Sequence, residues 1–204
     1  MTVITNKAGN GGQYFAVIDT ETNYYDEVIS IGVVIAHRDT YRIIDEKYYI
    51  ITPECYKPAM FSDVLNDCPP HMKCERSKAL SDLYSLLLSH CVNGIFAYNA
   101  KFDYNHLPEL KTFTWHDIMS IAAYKQYNSN IPSDAECCST GRLKSNYSVE
   151  AIMRMLIKNE DYFEKHNAMH DARDELLIMQ LIGYPVGQYP HIKGTPALKE
   201  KAHV

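Results

Sequence analysis

The chain alternates between short apolar runs and polar breaks, and the runs predict an α/β order of elements. Tyr14 to Thr20 reads as a first strand, its apolar stretch Phe15-Ala16-Val17-Ile18 stopping at Asp19-Thr20-Glu21-Thr22. Val28 to Ala36 is nearly continuous in apolar and β-branched residues, the pattern of a strand buried on both faces. His37-Arg38-Asp39-Thr40 supplies a turn, and Tyr41 to Ile51 reads as a third strand, antiparallel by its short connection. Pro53, Pro58, Pro69 and Pro70 break regular structure across 52–73. From Glu75 to Cys91 the apolar positions Leu80, Leu83, Tyr84, Leu87 and Leu88 form a helical stripe. Gly94 to Tyr98 reads as a short buried strand, and Asn99 to Asp103 enters a helix. A further helix is predicted over Asp117–Tyr127. The polar stretch 128–145, with Pro132 and Gly141, reads as a long loop and a candidate lid. Ser148 can cap a helix through Val149, Ile152, Met153, Leu156 and Ile157, and Ala168 to Ile182 is the last helix, with Ala172, Leu176 and Met179 on one face.

This order places one domain over 14–183, a flexible lead over 1–13 and an arm or loose tail over 184–204. With 204 residues, 46% of them hydrophobic, the chain has ample material for a core. A net charge of −5 argues against gripping long duplexes through a wide basic face. It leaves open an enzyme that holds a strand end beside metal ions, which supply positive charge locally. No window is apolar and long enough to span a bilayer, and Met1 to Gln13 lacks the apolar stretch of a secretory leader. A cytoplasmic setting with six reduced cysteines is therefore expected. Cys55, Cys68, His71 and Cys74 could in principle hold zinc, but paired C-x-x-C knuckles are missing and ordinary thiols are the plainer reading.

The chemistry begins with Asp19 and Glu21. Alternate side chains of a strand share a face, so the two carboxylates emerge together and repel unless a cation lies between them. Oxygen-rich sites of this kind suit hard divalent ions. Asp103 follows a buried strand and opens a helix, which presents it at an edge of the sheet. His166 lies just before the last helix and Asp171 in its first turn. Singly, the two aspartates read as helix N-terminal acids and His166 as a surface residue. Together, an acid pair on the first strand, an acid after the fourth and His-x4-Asp at the last helix form a specific signature.

That signature resembles the DEDDh branch of the 3′–5′ exonucleases, whose three motifs are recognisable here as VIDTET, AYNAKFD and HNAMHDA. The resemblance runs from about Tyr14 to Ile182. It implies a ribonuclease H-like fold: a mixed five-stranded sheet, three antiparallel strands then parallel ones, flanked by helices. It also implies that Asp19, Glu21, Asp103 and Asp171 bind two divalent ions, Mg²⁺ or Mn²⁺, and that His166 is the general base for phosphodiester hydrolysis. The implied reaction releases nucleoside 5′-monophosphates from single-stranded DNA or RNA 3′ ends. Thr20 and Thr22 resemble residues that touch the terminal nucleotide. Phe102 would pack beneath Asp103, Asn99 would brace the motif, and Tyr98 stands where many relatives have His. The acid of Trp115-His116-Asp117 resembles one that is mainly structural, and Lys101, Arg142 and Lys144 could contact phosphates. Asn23-Tyr24-Tyr25 replaces the usual Gly and apolar wedge, so Tyr24 or Tyr25 could stack on the base. Two rival readings are a phosphodiesterase for very short RNAs and a catalytically silent nucleic-acid-binding module. A homodimer or a polymerase partner is compatible with the family.

Overall fold

The computed structural model describes residues 12–68 and 72–196. The greater part of the expected lead, the end of the expected tail, and His71 of the zinc reading lie outside the described residues.

Six strands form one sheet in the order β4-β3-β2-β1-β5-β6. β1 (Tyr14–Thr22), β2 (Val28–His37) and β3 (Ile43–Thr52) are antiparallel neighbours, and β5 (Gly94–Ala97) and β6 (Thr114–Asp117) continue from β1 in parallel. Five strands in this mixed arrangement match the expectation. The sixth, β4 (Met72–Glu75), pairs in parallel with Tyr49–Thr52 of β3. It falls at the end of the segment read as irregular, because four mostly exposed residues after two prolines carry no alternation.

Helices cover both faces of the sheet. α1 (Arg76–Ser89) lies on one face, with Leu83 and Leu87 packed against Ala16, Ile18 and Ile31. α4 (Val149–Ile157) and α5 (Ala168–Ile182) lie on the other, against Phe15, Val17 and Val34. Ser148 caps α4 by accepting from the Ala151 amide, as its position predicts. Gly183 ends α5 in the left-handed conformation that glycine adopts without steric cost. The helix expected over Asp117–Tyr127 is mostly absent. Asp117 ends β6, and only the single turn α3 (Met119–Ala122) follows before the chain enters the 128–147 excursion. On the far edge, Pro190 to Pro196 runs beside β6: His191 bridges to His116, and the Ile192 amide donates to the Trp115 carbonyl. Among the described residues no helix is long and apolar enough to cross a membrane.

One glycine decides where α5 sits. Gly32 is paired with Asp19 across β1–β2, and a Cβ there would lie 2.0 Å from the Ala168 carbonyl oxygen and 2.6 Å from the Met169 nitrogen. The first turn of α5 therefore rests directly on the sheet beside the first acid. Both partners are backbone, so neither can swing aside. Gly32→Ala is expected to cost about 3 kcal/mol, at the upper end for overpacking, and to displace Asp171. Urea unfolding checks it, and a loss under about 1 kcal/mol would show that α5 slides without penalty.

Candidate active site

Strand alternation puts Asp19 and Glu21 on the face of Phe15 and Val17, the face that α5 covers. α2 (Lys101–His106) carries Asp103, 1% exposed, which accepts a hydrogen bond from the Thr20 hydroxyl at 2.8 Å. α5 brings Asp171 in its first turn, 2% exposed, with Oδ1 buried and unpartnered. The start of that helix is fixed by Asn167. Its side-chain oxygen accepts from the Met169 and His170 amides, while its Nδ2 donates to the Tyr48 hydroxyl at 3.2 Å and the Val64 carbonyl at 2.7 Å. Asn167 thus ties α5 at once to β3 and to the 3-10 turn Ser62–Asn66.

His166 precedes that cap in the left-handed region, φ 53°, which few non-glycine residues adopt. Its ring stacks on Phe61, with centroids 3.9 Å apart and planes inclined by 15°. One oxygen each of Glu21 and Asp171 and one His166 ring nitrogen lie within 4.8 Å of one another. Among the described residues no other trio of metal-capable side chains converges in this way. Cys55, Cys68 and Cys74 do not, and all six cysteines are free thiols.

The electrostatics report the same convergence. Burial first, then the charges of Glu175, Asp103, Asp171 and Glu21, holds the Asp19 carboxyl well above the usual carboxylate range. Burial and Glu164 push Glu21 up to about 7, against a hydrogen bond from Asp171. Asp103 is pushed up to about 7 by burial, despite the Thr20 hydroxyl, and Asp171 to about 8 by burial, Glu164 and Glu21. Acids so disposed are poor neighbours for one another and good ones for a cation. The donor set fits divalent ions: hard oxygens of four acids from three elements, an orphaned Asp171 Oδ1, and protons that a cation would displace.

A pH dependence follows. These carboxyls hold protons more tightly folded than unfolded, where they titrate near 4. The metal-free protein is therefore most stable below about pH 4 as far as this pocket is concerned, and that contribution is lost as pH rises through 7 to 8. Mn²⁺ competes with the same protons, so its affinity is expected to rise at least about tenfold from pH 6 to pH 8. Melting temperatures with and without Mn²⁺ at both values check it. A metal-induced rise that is larger at pH 6 would refute the ordering.

The residues read as substrate contacts divide. Thr22 is partly exposed, Asn99 exposed, and Phe102 39% exposed, with its ring leaning on His106. Asn99, in the left-handed conformation, donates its amide to Asp117 Oδ1 at 3.1 Å. Asp117 also accepts from the Met119 amide, a structural employment. Thr20 and Tyr98 are buried with their hydroxyls engaged: Thr20 on Asp103, and Tyr98 on the Tyr147 carbonyl, where it ties down the 128–147 excursion. Of the basic residues, Lys101 is exposed, Arg142 lies over the Tyr147 ring, and Lys144 pairs with Glu136. Tyr24 and Tyr25, beyond the end of β1, are 66% and 67% exposed.

Four neighbours of the acids have no place in the sequence reading. Asn167 carries the ordinary signal of an N-cap, a short polar side chain before an apolar helix. Glu175 is at i+4 from Asp171 and so shares its face. Glu164 and Phe61 lie in aperiodic stretches that give no signal.

No protein-family model matches the sequence, and no curated protein matches it. Solved structures do. The nuclease domain of 3′hExo, a DEDDh family member, bound to rAMP, superposes with a TM-score of 0.61 at 13% identity, over 89% of this chain and 96% of that one. A 3′-exonuclease solved for its specific recognition of the histone mRNA stem-loop 3′ end gives 0.60 at 14% identity, over 94% and 96%. The zinc-bound Escherichia coli exonuclease I complex with single-stranded DNA gives 0.56 at 14% identity, over 86% of this chain and 41% of that one. Identities this low carry the architecture and not the substrate. The chain has the ribonuclease H-like α/β fold found in DEDDh 3′-exonucleases.

Proposed function

We propose that the protein is a metal-dependent 3′–5′ exonuclease acting on single-stranded DNA or RNA. The observation that carries this reading is the meeting of Glu21, Asp171 and His166 within 4.8 Å, backed by Asp19 and Asp103, in a fold shared with such enzymes. Asp19, Glu21, Asp103 and Asp171 would hold two divalent ions, Mg²⁺ or Mn²⁺. When bound, such ions neutralise charge on the scissile phosphate and make a nearby water more acidic.

The protein side chains have separate tasks. A ring nitrogen of His166 takes the proton from the attacking water, whose oxygen forms the new bond to phosphorus. The bond from phosphorus to the 3′ oxygen of the preceding nucleotide breaks, that oxygen takes a proton from solvent, and a nucleoside 5′-monophosphate leaves. Thr20 holds Asp103 in place through the 2.8 Å bond rather than touching the nucleotide. Thr22, Asn99 and Phe102 line the approach on the solvent side. Tyr24 and Tyr25, exposed just beyond the end of β1, offer faces on which unpaired bases stack, at about 1–3 kcal/mol per base.

The test is hydrolysis of matched DNA and RNA oligomers of graded length with Mn²⁺, Mg²⁺ or chelator. Mononucleotide release from the 3′ end, abolished by chelator, is the expected result. Binding of the oligomers without any cleavage under all metal conditions would overturn the reading.

A further inference from the structure

Glu175 lies one helical turn beyond Asp171, on the buried face of α5 that meets the sheet. It is 1% exposed, and its Oε2 has no hydrogen-bond partner. A glutamate in that position is hard to explain as packing. The flanking positions of the stripe, Ala168, Ala172, Leu176 and Met179, are all apolar and buried, and two acids at i and i+4 repel along a helix. Besides burial, the charges that weigh on Glu175 are those of Asp103, Asp171 and Glu164, with the Tyr98 backbone N–H as the group that favours its ionised form. The relation is mutual: of the charges acting on Asp19, that of Glu175 is the largest. Glu175 and the acids Asp19 and Asp103 therefore lie near enough for their charges to act on one another, while Glu21, His166 and Asp171 meet within 4.8 Å.

We propose that Glu175 is a fifth carboxylate of the divalent-ion centre, offering its Oε2 on the Asp19–Asp103 side. The inference rests on the exonuclease reading, since the ions are those of that reaction. Hard divalent cations accept additional carboxylate oxygens readily. A fifth acid raises the attraction for two dications beyond what four can supply. It also explains why an oxygen with no hydrogen-bond partner is kept buried on this face of α5. Were Glu175 no ligand, it would be mere filler, and replacing it with glutamine would leave Mn²⁺ binding unchanged.

Those alternatives separate in a Mn²⁺ titration, followed by the paramagnetic resonance of the free ion and, in parallel, by thermal unfolding. Wild type, Glu175→Gln and Glu175→Asp are compared, and circular dichroism verifies that each is folded. Glu175→Gln keeps the shape and removes the charge. It is expected to weaken Mn²⁺ binding about 10- to 100-fold, the range seen when groups supporting a metal are lost. Its metal-free form should melt above the metal-free wild type, because a buried like charge has gone. Glu175→Asp, one methylene shorter, should recover part of the affinity. Equal Mn²⁺ affinity of Glu175→Gln and wild type overturns the inference while leaving the exonuclease reading standing, provided that wild type binds Mn²⁺ and cleaves. A lowered metal-free melting temperature with unchanged affinity also overturns it, because that is the signature of packing alone. If wild type binds no Mn²⁺, both readings fall together.

Discussion

Asp19→Asn is expected to lose at least about a thousandfold in exonuclease turnover while the metal-free protein becomes more stable. The two effects have one cause. Asp19 sits on a strand whose neighbours on both sides are fully buried, so its carboxyl cannot retreat from those of Asp103, Asp171 and Glu21. In the metal-free state that crowding is a burden, visible in proton affinities raised to about 7 and 8 at three of these acids. An amide of the same shape relieves it. In the working state the same crowding attracts cations, and the amide is a neutral donor where an anionic one is needed. Losing several kcal/mol of charge stabilisation at the phosphate corresponds to a rate loss of three orders of magnitude or more. Mononucleotide release and the melting temperature after chelation, measured on one preparation, check both halves. Turnover within tenfold of wild type would remove Asp19 from the reaction. A lower melting temperature would mean that the pocket is not strained by its own charge.

The parts of this arrangement that were legible in the sequence were those governed by local periodicity. The run Val28 to Ala36 could be nothing but a buried strand, and Ser148 marked the start of α4 by its usual chemistry. β4 and β6 were not legible, because each is four residues long and the residues it pairs with, in Tyr49–Thr52 and Gly94–Ala97, lie 23 and 20 positions away. Period-2 alternation needs more residues than that to register. The acids of the site could be picked out only as a set, through motif order. Their convergence depends on a non-local fact, the seating of α5 on Gly32. The clue to it was present, since a lone glycine inside a strand often marks a close backbone approach. Glu175 hid inside an apolar stripe that tolerates an occasional polar residue in outline but not, on inspection, at a position 1% exposed. Phe61 follows no periodicity, and only the fold brings it 105 residues along the chain to His166.

His166→Ala is expected to keep Mn²⁺ affinity within about threefold of wild type and to lose about 10²- to 10⁴-fold in turnover, the usual worth of a positioned general base. The geometry makes this a real question, because one ring nitrogen lies as close to Glu21 and Asp171 as a ligand would. Two features favour the base. The residue is on the connector ahead of Asn167, outside the helix that fixes Asp171, and its ring is held by Phe61 from one side rather than by a hydrogen bond of its own. A ring gripped by stacking can tilt in its plane and exchange a proton with water, whereas a ligand is better fixed by a hydrogen-bond acceptor on its other nitrogen. Phe61→Ala should then act as a milder version of the same lesion, lowering kcat about tenfold with little change in KM, because it loosens the base without touching substrate. Free imidazole added to His166→Ala should restore part of the rate, since a diffusible base can occupy the vacated space against Phe61. If instead His166→Ala loses Mn²⁺ in step with activity, and imidazole restores both, the imidazole is a fifth donor to the ion and some other group must take the proton from water.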